Sequence, residues 1–488
     1  MKKKRLARVI IAAVVTAAIL VAIIVGCGPK WGDGSANVNG SNSNSSNSAS
    51  DNVSSNDNAA QSNNNYATRI TVKLPSYYLE NMVFQRGKTL VVKGTATTSQ
   101  RGKVVDPTQL ITTISQGKKS ASAQAKISKN GDFTCTLPKQ KASLKPYSLT
   151  ILYNETTLLT LKNVYVGDVF IAAGQSNMEL NYSQYYEGSG NSYNFGGGLI
   201  TTDDLPKQLS DNNVHFVASA NSSKGTDFPL RDVNEQAGTW LEATALAYES
   251  QMTLLINQYR EVFDQDDLPF LYVQLARWPG YQYTQNVRFA QLNTLSNAGL
   301  RNASNVAMTV SLDTDKGTST LIHPLGKDIL GARMAAQYLA MSEGKTIPNG
   351  PLIAHAKHAS DGTIVLSFQN GTATGLQAEK PNYSKTASAT VPDYDANPDA
   401  TPLNGISNVA TPTSTPLQGF EIADDSGKWV SATATIKGDQ IVLSAADGSS
   451  NCNAVTQVRY WWSGNPVISS LLYNDLGLPA SPFIAVVE

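Results

Sequence analysis

Short runs of alternating apolar and polar residues fill the first part of the chain that has a folding pattern, residues 66–165. Residues 89–94 and 147–153 alternate in this way, and residues 129–132 read Lys-Asn-Gly-Asp, a turn signal. Alternation with a period of two residues is typical of half-buried strands separated by tight turns. The pattern predicts a small antiparallel β-sandwich over residues 66–165.

The pattern changes in the middle of the chain. Residues 164–173 form an apolar run with one Gly-Asp pair, which is typical of a buried strand in a parallel sheet. Apolar spacing further predicts a helix over 253–263, a strand over 270–275 and a helix over 328–341. Alternating strands and helices predict an α/β layer domain, which we place at residues 166–347.

Strand patterns return in the last part of the chain, for example at residues 362–368 and 440–443. A long stretch rich in Pro, Thr, Asn and Ala, at about residues 380–416, separates them. Residues 348–488 are therefore predicted to form a second β-domain that carries an exposed insertion.

The first 27 residues read as an export signal. A basic start precedes an apolar run over Val9–Val25, and Ile24-Val25-Gly26-Cys27 closes the segment. These last residues resemble the lipobox of bacterial lipoproteins, which implies cleavage before Cys27 and lipid attachment to it. The alternative is an uncleaved single-span anchor. Both interpretations put the rest of the chain outside the cytoplasmic membrane, bound to it.

A flexible tether is predicted over residues 28–65. Residues 35–65 contain 21 Ser or Asn among 31 positions and no aromatic residue. Such a segment cannot bury enough apolar surface to offset the entropy of ordering.

Charge and cysteine content exclude several classes of function. The formal net charge is zero and no stripe of Lys or Arg follows the signal, so nucleic-acid binding is not expected. Three cysteines are too few for a disulfide scaffold or a Cys-type zinc site, and Cys135 and Cys452 are predicted to be separate buried thiols. The four histidines lack metal-ligand spacing, and His355 and His358 are interpreted as surface residues. No metal is expected, and the oligomeric state is left open.

The candidate chemistry begins at Gly174-Gln175-Ser176-Asn177-Met178, directly after the apolar run. A Ser at the carboxyl end of a strand can expose its Oγ as a nucleophile and donate its own backbone N–H to an oxyanion. The alternative is a Ser that caps a helix. His323 precedes the predicted helix at 328–341 and is the candidate general base; alternatively it lies on a solvent-exposed loop.

Several strings in the same order carry a family resemblance. They are Glu80–Arg86, Asn163–Phe170 with Gly174–Met178, Leu268–Ala276, Arg288–Gln291, Ile322–Pro324 with Lys327, Gly331 and Arg333, Val458–Trp462, and Leu472–Phe483. With these strings the chain resembles the sialate O-acetylesterases, serine esterases of the SGNH-hydrolase class, from about residue 72 to residue 488.

The resemblance implies an SGNH-like three-layer α/β domain flanked by two β-sandwich-like domains. It implies a carbohydrate O-acetylesterase that acts on sialic acid or a similar acetylated glycan, with Ser176 as nucleophile, His323 as general base and no cofactor.

Two parts of the family pattern are missing. The acid that usually lies two or three residues before the His is replaced by Leu321 and Thr320, so Asp313 and Asp315 are the alternative candidates for the triad acid. The strings that supply oxyanion donors are also absent, and the α/β domain therefore reads as shortened at about residues 240–248. Gly197, in a Gly-Gly-Gly run, is a candidate substitute donor.

Aromatic residues follow both the Ser176 turn and the 270–275 strand. They are either sugar subsites or residues that cover their own loops, and Tyr186 and Trp278 are the substrate-binding candidates among them. Gln175 is a further candidate, and Arg277 is a candidate partner for a sugar carboxylate. The alternative function is a catalytically impaired esterase-like protein that binds glycans or acts as a scaffold.

Overall fold

The computed structural model describes residues 69–75, 77–99, 103–174, 242–278, 282–314, 327–381, 410–446 and 451–488. All of them belong to one compact unit, Thr68–Glu488.

Among the described residues, nine strands precede Ser176 and form two sheets. They are β1 Ile70–Lys73, β2 Val83–Gln85, β3 Leu90–Thr98, β4 Leu110–Gln116, β5 Lys119–Gln124, β6 Lys126–Ile127, β7 Asp132–Leu137, β8 Ser143–Tyr153 and β9 Thr156–Gly167. One sheet has the order β1-β3-β7-β6 and the other β2-β9-β8-β4-β5. Every pairing is antiparallel except that of β2 with β9.

Alternation explains how these two sheets share one core. In β7 the side chains of Phe133, Cys135 and Leu137 are buried while the residues between them are not. They pack with residues of the other sheet, including Leu149 and Ile151 of β8. Alternate residues of a strand point to opposite faces, so the apolar set lies between the sheets.

Three helices and a parallel strand pair make up the described middle part of the chain. The helices are α1 Glu242–Val262, α2 Thr284–Thr294 and α3 Lys327–Ser342, and the strands are β10 Phe270–Val273 and β11 Val306–Thr309. The pair is in register from Phe270 opposite Val306 to Val273 opposite Thr309. The predicted helices and strand in this region are confirmed, although α1 begins well before residue 253.

The remaining strands build two antiparallel sheets. The strands are β12 Ile353–His358, β13 Ile364–Phe368, β14 Gln377–Pro381, β15 Ala410–Pro412, β16 Phe420–Asp424, β17 Trp429–Lys437, β18 Gln440–Ala445, β19 Val455–Tyr460, β20 Leu471–Tyr473 and β21 Phe483–Val486. Their orders are β12-β13-β18-β17-β16-β19-β21 and β15-β14-β20. The strands predicted at 362–368 and 440–443 are confirmed as β13 and β18.

One hydrophobic core joins the α/β elements to the C-terminal strands. Ile256 of α1 and Met308 of β11 belong to the same cluster of buried residues as Leu366, Leu443 and Val458. The chain is thus mixed α/β, with many strands and few helices.

Only the first part of the strand predicted over 164–173 is present. Residues 164–167 end β9 of the sandwich, which pairs antiparallel with β8 and parallel with β2, and residues 168–174 form no strand. Val169, Phe170 and Ile171 are 50%, 62% and 51% exposed. The apolar composition predicted burial, but after Gly167 the chain has no strand partner within the described ranges, and the Gln85 side chain bonds the Asp168 carboxylate and the Val169 N–H instead.

Two smaller predictions are confirmed. Cys135 and Cys452 are buried free thiols, and His355 and His358 are exposed on β12. Within the described ranges no cluster of His, Cys, Asp or Glu could hold a metal ion. No helix among those residues is both long and apolar enough to cross a bilayer.

Candidate active site

Most of the predicted site residues lie outside the described residues. These are Cys27, Gln175, Ser176, Tyr186, Gly197, Asp315 and His323. The structure does describe the segments that lead to Ser176 and that flank His323, and it describes Asp313, Arg277 and Trp278.

The segment that leads to Ser176 is anchored to strand β2. Arg86 Nε lies 2.8 Å from Asp168 Oδ1, and Val169 N donates to Gln85 Oε1 at 2.8 Å. Burial opposes the charged form of Arg86, but the Asp168 carboxylate outweighs it and raises the pKa of Arg86. These contacts fix where the chain leaves the sandwich, eight residues before Ser176.

Phe170 connects this segment to helix α3. Its ring meets that of Tyr338 edge to face, with 4.8 Å between the ring centroids. Helix α3 begins four residues after His323, and Phe170 lies six residues before Ser176. The chain leading to Ser176 therefore lies against the helix that follows His323.

Backbone and buried side-chain hydrogen bonds hold the carboxyl edge of β10 and β11. Gln274 N bonds Thr309 O at 2.9 Å, and Ser311 Oγ donates to Gln274 O at 2.7 Å. Thr309 Oγ1 donates to Gln337 Oε1 of α3 at 2.8 Å. In open α/β sheets this edge is where ligands bind, and here its two loops and α3 are bonded together.

Arg288 of α2 shapes the loop after β10. It is fully buried and its guanidinium donates to four carbonyl oxygens, those of Leu275 (2.7 Å), Ala276 (2.6 Å), Ser463 (2.7 Å) and Gly464 (2.7 Å). Burial, and secondarily the charge of Arg277, lowers the pKa of Arg288 to about 9, so it remains charged at neutral pH.

Asp313 lies on the loop after β11, directly before the stretch that contains His323. Arg333 of α3 binds it with two bonds, Nη1 to Oδ1 at 2.8 Å and Nη2 to Oδ2 at 2.6 Å. Tyr473 also donates to Oδ2, at 3.0 Å, and the carboxylate is completely buried. Burial disfavours the Arg333 charge, but Asp313 outweighs it and raises the pKa of Arg333.

A second buried carboxyl group lies near Asp313. Glu379 of β14 is 8% exposed. Burial raises the pKa of Glu379, and the negative charge of Asp313 raises it further. Two buried carboxyl groups in different environments thus lie at the loop after β11: Asp313 is paired with a cation, and Glu379 has a pKa that burial raises.

Arg277 and Trp278 both contact the loop after β19. Arg277 is 6% exposed and its Nη1 donates to Pro466 O at 2.9 Å. The backbone N–H of Trp278 donates to Gly464 O at 3.0 Å. Both residues attach the β10 loop to the C-terminal sheet in this structure.

Sequence reasoning did not assign the network of Gln274, Arg288, Gln337 and Tyr473. The family resemblance did include the string at residues 288–291, so Arg288 could be recognised as a family position. Nothing in that string indicated the groups that Arg288 would bind. The acceptors of Arg288 lie up to 176 residues away, and no local pattern indicates them.

No family model matches the chain, and no curated protein matches it. Among solved structures, a carbohydrate acetylesterase from Xanthomonas citri matches with a TM-score of 0.58 and 23% identity, over 85% of this chain and 99% of that one. At this identity the match shows a shared fold. The Lin-41 filamin domain matches over 20% of this chain and 90% of its own, at 12% identity and a TM-score of 0.16, which is too low to show a shared fold.

Proposed function

We propose that this protein is a carbohydrate O-acetylesterase that removes acetyl groups from sialic acid or a similar acetylated glycan. The observation that carries the proposal is the fold shared along nearly the whole of a carbohydrate acetylesterase. The Gly174–Met178 and Ile322–Pro324 strings add the residue types that ester hydrolysis requires. An SGNH-like three-layer domain between two β-domains, with the boundaries predicted above, is part of the proposal.

The reaction follows from the proposed pair. Ser176 Oγ attacks the acetyl carbonyl carbon while His323 accepts the Ser proton, and the tetrahedral oxyanion is stabilised by the Ser176 backbone N–H and Gly197. Collapse breaks the ester bond, and His323 returns the proton to the departing sugar hydroxyl. Water, deprotonated by His323, then attacks the acetyl-Ser176 ester; the bond between the acetyl carbon and Ser176 Oγ breaks, His323 returns the proton to Oγ, and acetate leaves. Gln175, Tyr186, Arg277 and Trp278 are the proposed substrate contacts.

The decisive measurement is hydrolysis of 4-nitrophenyl acetate by the purified protein. Ser176→Ala and His323→Ala are expected to lower kcat by at least about a thousandfold, whereas Ser189→Ala, in the same stretch, serves as the matched control. A wild-type rate equal to that of Ser176→Ala would refute the esterase proposal. Acetate release from O-acetylated sialic acid, compared with acetylated neutral glycans, then tests the substrate.

The triad acid is tested separately. Removing the acid of a Ser-His-Asp triad costs on the order of ten thousandfold in kcat. That loss in Asp315→Asn but not in Asp313→Asn would identify Asp315, and the reverse would identify Asp313. Far-UV circular dichroism and thermal unfolding separate loss of activity from loss of fold.

The alternative is a glycan-binding or scaffold protein that keeps the fold with little activity. It is favoured by the Asp313 carboxylate, whose two oxygens are already bonded by Arg333 and Tyr473. Saturable binding of an acetylated glycan, without acetate release above the Ser176→Ala background, is the result expected for it.

We also propose that lipid on Cys27 anchors the protein outside the cytoplasmic membrane, with residues 28–65 as the tether. Metabolic labelling with palmitate is expected to mark the wild type and not Cys27→Ser. A labelled Cys27→Ser variant would contradict the anchor.

A further inference from the structure

A cleft of about 610 Å³ lies on the C-terminal sheet, away from the Ser176 turn in sequence. Its floor is formed by the start of β16 and the middle of β17, and its wall by the residues that follow β19. The side chains that matter here are Gln418, Glu421, Trp461, Trp462, Asn465 and Val467. Val467 forms an exposed apolar rim, with 85% of its surface accessible.

Trp461 is held in an unusual conformation at this wall. Its φ is +44°, in the left-handed region that a bulky residue rarely adopts. The backbone N–H of Trp461 donates to Gly419 O at 2.7 Å, and Gly419 itself has φ +88°. A Cβ at Gly419 would overlap the indole ring, so only glycine lets the ring lie there. Backbone strain of this kind persists where surrounding contacts enforce it, and it is concentrated at ligand sites.

The wall of the cleft is rigidly attached to the α/β elements. Arg288 bonds the carbonyl oxygens of Ser463 and Gly464, and Arg277 bonds that of Pro466. The Trp462 ring meets Phe289 of α2 edge to face at 5.6 Å between centroids. A preformed wall of this kind loses little conformational entropy when a ligand binds.

The polar groups of the cleft suit a ligand with many hydroxyl groups. Ser469 Oγ donates to Gln418 Oε1, which leaves the Gln418 amide N–H groups as donors. Glu421 Oε2 accepts from Arg459 Nε at 2.8 Å, and its carboxylate is the single charge among the described residues that line the cleft. Asn465 Oδ1 has no hydrogen-bond partner among the described residues.

We propose that this cleft is a binding site for a neutral saccharide. Indole rings offer flat apolar surface to the C–H faces of a sugar, while Gln418, Glu421 and Asn465 can exchange hydrogen bonds with its hydroxyl groups. An acidic sugar is disfavoured, because no Lys or Arg lines the described part of the cleft and the neighbouring Arg459 is already paired with Glu421. The described lining contains none of the proposed catalytic residues, so binding can be measured separately from the proposed hydrolysis.

The test is isothermal titration of the full chain carrying Ser176→Ala, which binds without turnover. The probes are cellohexaose, xylohexaose and mannohexaose, with sialyllactose and hexagalacturonate as acidic comparisons. We expect saturable binding of at least one neutral probe. Trp462→Ala and Gln418→Ala, each added to Ser176→Ala, should weaken the binding by at least about tenfold. Trp462→Phe should retain part of it.

Trp429→Phe is the matched control, because this Trp lies outside the cleft lining and a Phe ring keeps an aromatic face against Arg459, the partner of Glu421. It should leave the dissociation constant within about twofold. Absence of saturable binding to every neutral probe would overturn the inference, and so would unchanged affinity in a folded Trp462→Ala. Preference for the acidic probes would overturn the ligand class. If the wild type does not hydrolyse esters, these binding outcomes can still be interpreted, because the titrations use a variant that lacks Ser176.

Discussion

Asp313 and Arg333 form a fully buried ion pair in which both carboxylate oxygens accept from the guanidinium, at 2.8 and 2.6 Å. The pair joins the loop after β11 to helix α3, and Tyr473 of β20 adds a third bond from the C-terminal sheet. Three parts of the protein therefore meet at one carboxylate, directly beside the stretch that contains His323.

Arg333→Met should lower the free energy of unfolding by about 3–5 kcal/mol, because it leaves the Asp313 charge buried without its cation. The double variant Asp313→Asn/Arg333→Met should recover part of that loss, since no charge remains and Asn still accepts from Tyr473. Urea unfolding measures both. Lys345→Met is the control, because its exposed pair with Glu343 should contribute no more than about 1 kcal/mol. Equal effects of Arg333→Met and Lys345→Met would contradict the argument.

Arg288→Lys should destabilise the protein by at least about 2 kcal/mol, because a Lys ammonium cannot reach all four carbonyl oxygens and leaves some of them unsatisfied. Hydrogen exchange should report the same change locally. The amide of Trp278, which donates to Gly464 O, is expected to exchange faster in the variant. Arg301→Lys is a matched exposed control and should stay within about 0.5 kcal/mol. Unchanged exchange at Trp278 would show that Arg288 does not hold the two loops together.

Local pattern predicted those elements whose burial alternates simply. The Phe133, Cys135 and Leu137 positions of β7 are one example. The start of α1 was missed because its first turns have apolar residues on both faces: Ala245 and Tyr248 are buried, but Leu246 is 71% exposed. A helix whose apolar residues are not confined to one face gives a weak periodic signal.

The surroundings of the candidate site could not be predicted in the same way. Asp313 and Tyr473 are bonded although 160 residues separate them in the sequence, and Arg288 and Ser463 are bonded across a separation of 175 residues. Such pairs are set by the packing of distant elements, which no window of sequence contains. The exposed residues 169–171 have the same origin, because Gln85 and Arg86 hold Asp168 and Val169 from more than 80 residues away.

The stability should depend on pH through Glu379. Burial, followed by the charge of Asp313, raises its pKa in the folded state above the ordinary value of 4.5. Between these two pKa values the folded chain keeps a proton that the unfolded chain has lost, so the free energy of unfolding falls as pH rises through this window and stays lower above it. Glu379→Gln should remove that fall. Urea unfolding from about pH 4 to about pH 8 tests this, and an unchanged slope in Glu379→Gln would assign the pH dependence to other groups.

The two buried thiols should be unreactive in the folded protein. Burial raises the pKa of Cys135, which disfavours the reactive thiolate, and Cys452 is completely buried. In a Cys27→Ser variant, Ellman's reagent is expected to label no thiol in native buffer and two in denaturant. Labelling of neither thiol in denaturant would mean that Cys135 and Cys452 form a disulfide.

Gly419→Ala should destabilise the protein more than Gly427→Ala, although both glycines have positive φ, +88° and +70°. At Gly427 nothing lies within 4 Å of an added Cβ, so the cost is the backbone strain alone, about 1–2 kcal/mol. At Gly419 the added Cβ also overlaps the Trp461 indole, which adds about 1–3 kcal/mol and displaces the ring. Urea unfolding should separate the two variants, and near-UV circular dichroism should change only in Gly419→Ala. If both variants lose the same stability and neither spectrum changes, the position of the Trp461 ring does not require glycine at position 419.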